Sequence, residues 1–221
     1  MTRFIDVSHQ IVAGMTTYPG LPGPVIDDHV SFEASQRTYA PGTEFNITRI
    51  SMVANTGTYL DMPSHRYRDG ADLSDLELEK VADVPGVVIQ APGREVGPEA
   101  FDGVDVAGRA VLVRTGWDRH WRTDAYGAPE HPFLTEAAAR LLADSGARLV
   151  GIDSVNIDDT SEDAKGARPA HSVLLAAGIP VLEHLCLLEL LPADGFRFFA
   201  VPVKVQGMGT FPVRAFAIVG D

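Results

Sequence analysis

Cysteine is all but missing: Cys186 is the only one in 221 residues, so no intrachain disulfide can form. It stands in the apolar run Leu185-Cys186-Leu187-Leu188, where a small buried hydrophobe is expected rather than a nucleophile. Basic residues number 18 against 30 acidic ones, and the net charge of −12 comes with no compensating basic block. Nucleic acid and anionic membrane surfaces are therefore excluded as partners. No uninterrupted apolar run approaches membrane-spanning length, and Met1-Thr2-Arg3-Phe4-Ile5-Asp6 holds no apolar signal segment, so a cytoplasmic chain is expected. Several common motifs are absent too. There is no G-x-S-x-G and no P-loop pattern, and Gly207-Met208-Gly209 lacks the third glycine and following helix of a dinucleotide site. The acidic stretch Asp158-Asp159-Thr160-Ser161-Glu162-Asp163 has neither the spacing nor the central glycine of a calcium loop, and a solvated turn is expected. His120 and His131 read as loop residues, and His9, His29 and His184 show no metal-ligand spacing.

What remains is an ordinary globular composition, 45% apolar, in a length that suits one domain over residues 1–221. Glycine and proline divide it into short strands and a few helices without repeats. Phe4–Ser8 and Phe45–Val53 read as strands, the second leading into Thr56-Gly57-Thr58, where backbone can approach a ligand closely. Ser74-x-x-Glu77 resembles a capping box opening a helix to about Val81. Val87-Val88-Ile89 and Ala110–Val113 are buried-strand candidates. Thr135 is placed to cap a helix that turns Ala138, Leu141 and Leu142 to the core and ends at Ser145-Gly146. Leu149–Ile152 follows as a strand, and that order predicts a parallel unit in a mixed sheet. A helix over 172–177, a strand Ile179–Leu182 delivering Glu183, and strands over 198–205 and 213–219 complete an α/β reading. Pro202 and Pro212 are expected at strand starts or edges.

Two pairs of polar residues carry chemistry. Asp61 and His65 flank Pro63, and if the segment is extended, residues four apart point the same way. A carboxylate and an imidazole on one face serve either as metal ligand plus general base or as an acid–base pair. His171 and Glu183 stand twelve positions apart, and Glu183 directly follows an apolar strand, a costly place for a carboxylate without a partner.

The run Asn55-Thr56-Gly57-Thr58-Tyr59-Leu60-Asp61-Met62-Pro63-Ser64-His65 resembles the signature H-x-G-T-H-x-D-x-P-x-H of the cyclase family of metal-dependent amide hydrolases, which includes bacterial kynurenine formamidases. Asp61, Pro63 and His65 stand in register, while Asn55 and Tyr59 occupy the two metal-binding histidine positions. The segment from Ala170 to Glu183 resembles the second motif, and the opening Ile5-Asp6-Val7-Ser8-His9, with Tyr18-Pro19-Gly20, is similar to the family's start. The resemblance implies a swivelling β/β/α fold with a mixed sheet, in homo-oligomers whose active sites lie near subunit contacts. It also implies two zinc ions sharing the signature aspartate. Of these the set Asp61, His171 and Glu183 is intact, and the set needing both histidines keeps only Asp61.

The expectation is therefore a hydrolase of small amides, formamides or cyclic imides, using one divalent metal, Zn²⁺ or Mn²⁺, or none. Asp61, His171 and Glu183 would be its ligands, with His65 as base or proton shuttle. Tyr59 is expected either to donate a hydrogen bond to a substrate oxyanion or to pack in the core, and Asn55 is a candidate substrate contact. The expected partners are a small-molecule substrate and further copies of the chain, as a dimer or tetramer. The alternatives are metal-free acid–base catalysis by Asp61, His65, His171 and Glu183, and non-catalytic binding of a small ligand.

Overall fold

Ala110–Arg114 is the run Ala-Val-Leu-Val-Arg, apolar at four successive positions, and a strand with that pattern must be covered on both faces. The computed structural model, which describes residues 1–220, shows how this is met. In chain order its strands are β1 (Arg3–Asp6), β2 (Val25–Val30), β3 (Ile47–Ser51), β4 (Tyr59–Asp61), β5 (Val84–Gln90), β6 (Glu95–Val96) and β7 (Ala110–Arg114). They continue as β8 (Phe133–Leu134), β9 (Leu149–Ile152), β10 (Val181–Glu183), β11 (Phe196–Phe199), β12 (Thr210–Pro212) and β13 (Phe216–Val219). The α-helices are α1 (Phe32–Ser35), α2 (Glu136–Asp144) and α3 (Pro169–Ala176).

Nine strands form one mixed sheet in the order β1-β13-β11-β5-β7-β9-β10-β4-β12. The centre, β5-β7-β9-β10, is parallel, and the strands outside it run antiparallel. Because side chains alternate across a strand, Val111 and Val113 face α2 and α3, meeting Ala138, Leu142 and Leu174. Ala110 and Leu112 point the other way, onto a second apolar layer with Leu60, Leu182 and Phe196. The predicted β7–α2–β9 unit is present and parallel, and Thr135 caps α2 by accepting from the Ala138 N–H at 3.2 Å.

Several expectations need correction. Ser74 does not open a helix: its hydroxyl and N–H both bind Asp72 Oδ1, at 2.6 and 2.7 Å, so the capping box is spent on a turn. A single 3₁₀ turn, Leu78–Lys80, follows. The strand expected over 45–53 is shorter, Ile47–Ser51, and pairs with β2 rather than continuing into β4. The helix expected over 172–177 starts earlier, with Pro169 in its first turn. Of the two C-terminal strands, the first is Phe196–Phe199, ending before Pro202, and the second is shortened to Phe216–Val219, with a further strand, β12, just before it. Pro212 ends β12, an edge strand, where its missing N–H costs no ladder bond.

Cys186 is buried, and burial with the Asp118 carboxylate nearby pushes its thiol up to about 12. Only the thiolate reacts, so alkylation by iodoacetamide at pH 8 is expected to be more than about 10³-fold slower in the folded protein than after denaturation. A thiol-labelling time course checks this.

Candidate functional site

Strand register builds the site. Tyr59 lies opposite Glu183 on β10 and opposite Pro212 on β12, while Asp61 lies opposite Val181 and Thr210. Tyr59 and Asp61, two apart, share a face, and Leu60 between them turns to the apolar layer on the other side. The polar side chains of Tyr59, Asp61, Glu183 and Thr210 thereby converge. Helix α3 packs against β10 and brings His171 over them, its Nε2 3.6 Å from Asp61 Oδ2 and 3.5 Å from Glu183 Oε1.

His171 is fixed from behind by Asp158. The Asp158 carboxylate accepts from the N–H groups of Ala170 and His171 at 2.6 and 3.1 Å, and its Oδ2 is 2.6 Å from His171 Nδ1. This corrects the solvated-turn reading of the acidic stretch, since Asp158 is fully buried. Its neighbour Asp159 binds Arg94 at 2.8 Å. The arrangement commits Nδ1 to Asp158 and turns Nε2 toward Asp61 and Glu183.

Pro63–His65 is a 3₁₀ turn rather than the extended segment expected, and Met62, extended at φ −103° and ψ 165°, leads into it. The turn folds His65 back, placing Nδ1 3.7 Å from Asp61 Oδ1, too far for a hydrogen bond. Thr210 bridges the gap: its hydroxyl donates to Asp61 Oδ1 and lies 2.8 Å from His65 Nδ1. With the hydroxyl proton given to Asp61, His65 Nδ1–H is the donor to Thr210, and His65 Nε2 keeps its lone pair. Gly209 lets the two backbones approach, because a Cβ there would clash with the backbone nitrogen of His65. Gly57, at φ +67°, uses its freedom differently from expectation, donating to Thr17 Oγ1 at 2.8 Å and packing on Ile11.

Tyr59 is only 2% exposed, and its hydroxyl donates to Glu183 Oε2 at 2.7 Å. The single phenolic proton is thus engaged with Glu183 in this structure. Burial first, then the Glu183 and Asp61 carboxylates, raises the phenol well above its usual range and keeps it neutral. His184 Nε2 lies 3.2 Å from the same hydroxyl, and Tyr126 Oη lies 2.8 Å from His184 Nδ1. Asn55, half-buried, reaches the Tyr59 hydroxyl with its side chain. Sequence reading missed His184, Tyr126, Thr210 and Asp158. For Asp158 a signal existed: α3 begins with Arg168-Pro169 and no local side-chain cap, so an acceptor had to come from elsewhere.

The donor set fits a divalent cation. Asp61 Oδ2 and His171 Nε2 are buried without hydrogen-bond partners, and they face each other. Bonds of about 2.1 Å to a tetrahedral ion put ligand atoms about 3.4 Å apart, close to what Asp61 and Glu183 each keep from His171. Burial alone would pull His171 down, but Glu183, Asp158 and Asp61 outweigh it and push the imidazole up to about 10. Burial likewise raises Glu183 to about 7, against the pull of His171. Three buried carboxylates around one imidazole leave negative charge for a cation to balance. Among the described residues, Asp61, His65 and His171 form a triple whose ligand atoms all lie within 4.8 Å of one another. Glu183 lies outside that triple, with Oε1 3.5 Å from His171 Nε2.

A family model described as "Putative cyclase" matches residues 5–159. The chain belongs to the cyclase family. Kynurenine formamidase of Delftia acidovorans is 30% identical over 97% of both chains, and that of Salinibacter ruber is 31% identical over 96% of this chain and 95% of its own. A solved potential metal-dependent hydrolase with cyclase activity superposes with a TM-score of 0.80 at 25% identity, covering both chains fully. Isatin hydrolase A from Labrenzia aggregata gives 0.84 at 25% identity, over 100% of this chain and 94% of that one. Enzyme relatives matched over nearly their whole length make this cyclase-family chain an enzyme, and the non-catalytic alternative falls away.

Proposed function

We propose that this enzyme hydrolyses the C–N bond of a small amide, aryl formamide or cyclic imide with the help of one divalent metal ion, and that residues 1–221 act as a single domain. The observation that carries the reading is the facing pair of orphaned buried atoms, Asp61 Oδ2 and His171 Nε2. Asp61, His171 and Glu183 would hold Zn²⁺ or Mn²⁺, which when bound lowers the pKa of a water ligand to about 7 and polarises a carbonyl. Glu183 is taken as third ligand because it is buried with Oε1 3.5 Å from His171 Nε2, whereas His65 is 36% exposed on its turn.

His65 is the proton carrier. Its side chain is 36% exposed, so substrate and solvent can reach it. Thr210 and Asp61 fix its tautomer, leaving Nε2 free to take a proton from the attacking water and return it to the leaving nitrogen. A substrate screen tests the reading: aryl formamides and isatin are incubated with the metal-loaded enzyme, and hydrolysis is followed by absorbance. Absence of turnover with every amide and imide class under both metals would overturn it. Asp158→Asn should leave the stoichiometry unchanged and weaken metal binding about 10- to 100-fold by releasing the His171 ring, as read by calorimetric titration.

A second reading, metal-free acid–base catalysis, draws on the linked Asp61, Thr210 and His65, which form an acid–base relay without an ion.

The enzyme is further proposed to self-associate as a dimer or tetramer. The β2–β3 ribbon is two-stranded and exposes Val25, Ile26, Ile47 and Ile50. Such a ribbon is marginal in water unless another surface covers it. Sedimentation of the wild type beside Ile26→Asp/Ile50→Asp reads this out. Among the described residues no helix is long and apolar enough to cross a membrane. The one cysteine is buried and unpaired, which suits a reducing compartment and, in this reading, the cytoplasm.

A further inference from the structure

We infer that Tyr59 is the positioning residue for Glu183 and that its phenol, seated on His184, limits this site to a single ion. The inference rests on the metal-dependent reading above and deepens it.

Glu183 has two oxygens, and the structure gives each a donor. Ile157 N–H binds Oε1 at 2.7 Å, and the Tyr59 hydroxyl binds Oε2 at 2.7 Å. Oε1 also faces His171 Nε2 at 3.5 Å, so it retains a lone pair on that side. Oε2 faces the phenol. Glu183 is therefore held to offer one oxygen to an ion next to His171, and the rotation that would present both is blocked by Tyr59.

The phenol is itself held. With its proton given to Glu183, the Tyr59 oxygen can only accept from His184 Nε2–H, which leaves His184 Nδ1 to accept from Tyr126 O–H at 2.8 Å. Tyr126 O–H, His184 Nε2–H and Tyr59 O–H thus point in one direction and end on Glu183. Every group in the line is buried. Tyr59 is buried beside Glu183, with its hydroxyl on Oε2, and the Asn55 side chain meets the same hydroxyl. A second ion there would need anionic or imidazole ligands in place of a neutral phenol and an amide, neither of which is a good zinc donor.

The test titrates metal-free protein with Co²⁺ and Zn²⁺, reading stoichiometry and affinity by calorimetry and ligand geometry by the visible Co²⁺ spectrum. Wild type should take one ion per chain. Tyr59→Phe removes only the hydroxyl and should still take one ion, about 10- to 100-fold more weakly and with an altered Co²⁺ spectrum. Asn55→His with Tyr59→His should take two. A merely structural Tyr59 would lower thermal stability without moving affinity or spectrum, so an unchanged affinity in folded Tyr59→Phe overturns the positioning role. One ion in the double histidine variant overturns the limit on stoichiometry. If Tyr59→Phe fails to fold, His184→Gln loosens the phenol while keeping it, and a weaker affinity is again expected. Wild type that binds no ion would overturn this inference together with the metal-dependent reading, whereas unchanged variants beside a one-ion wild type overturn this inference alone.

Discussion

Asp61→Ala should empty the site and lower kcat/KM by about 10⁴-fold or more, because without an ion the attacking water returns toward its bulk pKa. The substitution acts twice. It removes Oδ2, the orphaned atom facing His171, and it removes Oδ1, the acceptor that holds Thr210 and through it His65. Asp61→Asn separates the two effects. An amide oxygen can still accept from Thr210, while its NH₂ would face the ion, so metal is lost and the His65 tautomer is retained. Elemental analysis beside steady-state kinetics gives both readouts, and a chelator added to wild type should reproduce the loss until Zn²⁺ or Mn²⁺ is restored. Full activity in the presence of chelator would instead favour the acid–base reading.

The second large effect is expected at His65. His65→Ala should reduce kcat by about 10²- to 10⁴-fold, the range for a positioned general acid–base group, with metal content unchanged. The side chain lies on an exposed turn, so its removal leaves the core intact. Thr210→Val should fall between this variant and wild type, since it keeps the imidazole and deletes what aims it. Because His65 belongs to the compact triple with Asp61 and His171, the metal assay decides its role. Loss of the ion in His65→Ala would make it a ligand and move Glu183 to a supporting place.

How much of this was legible beforehand follows the range of each interaction. Short-range patterns were clear: Thr135 caps α2, and the β7–α2–β9 unit follows from alternating runs joined by a helix. Asp61, His65, His171 and Glu183 were legible as a set through the family resemblance, and the fold brings them together. What was not legible depends on register between strands far apart in sequence. Tyr59 meets Glu183 and Thr210 meets Asp61 only because β4 is flanked by β10 and β12 in one alignment. Residue type alone misled at Asp158, where an acidic stretch looked like solvent-facing charge although one carboxylate in it serves two backbone N–H groups and an imidazole. It misled again at Ser74, whose hydroxyl had a nearer partner in Asp72.

The three-residue strand β4 ties site and core to the same parity. Leu60 belongs to one side of the sheet, Tyr59 and Asp61 to the other. A shift of one position would exchange those sides, driving a carboxylate into the layer of Leu112, Leu182 and Phe196 and aiming a leucine at His171. Exchanging a side chain on β4 leaves that alternation intact. Gaining or losing a residue within β4 reverses it, so the strand's length is as much a part of the site as its side chains.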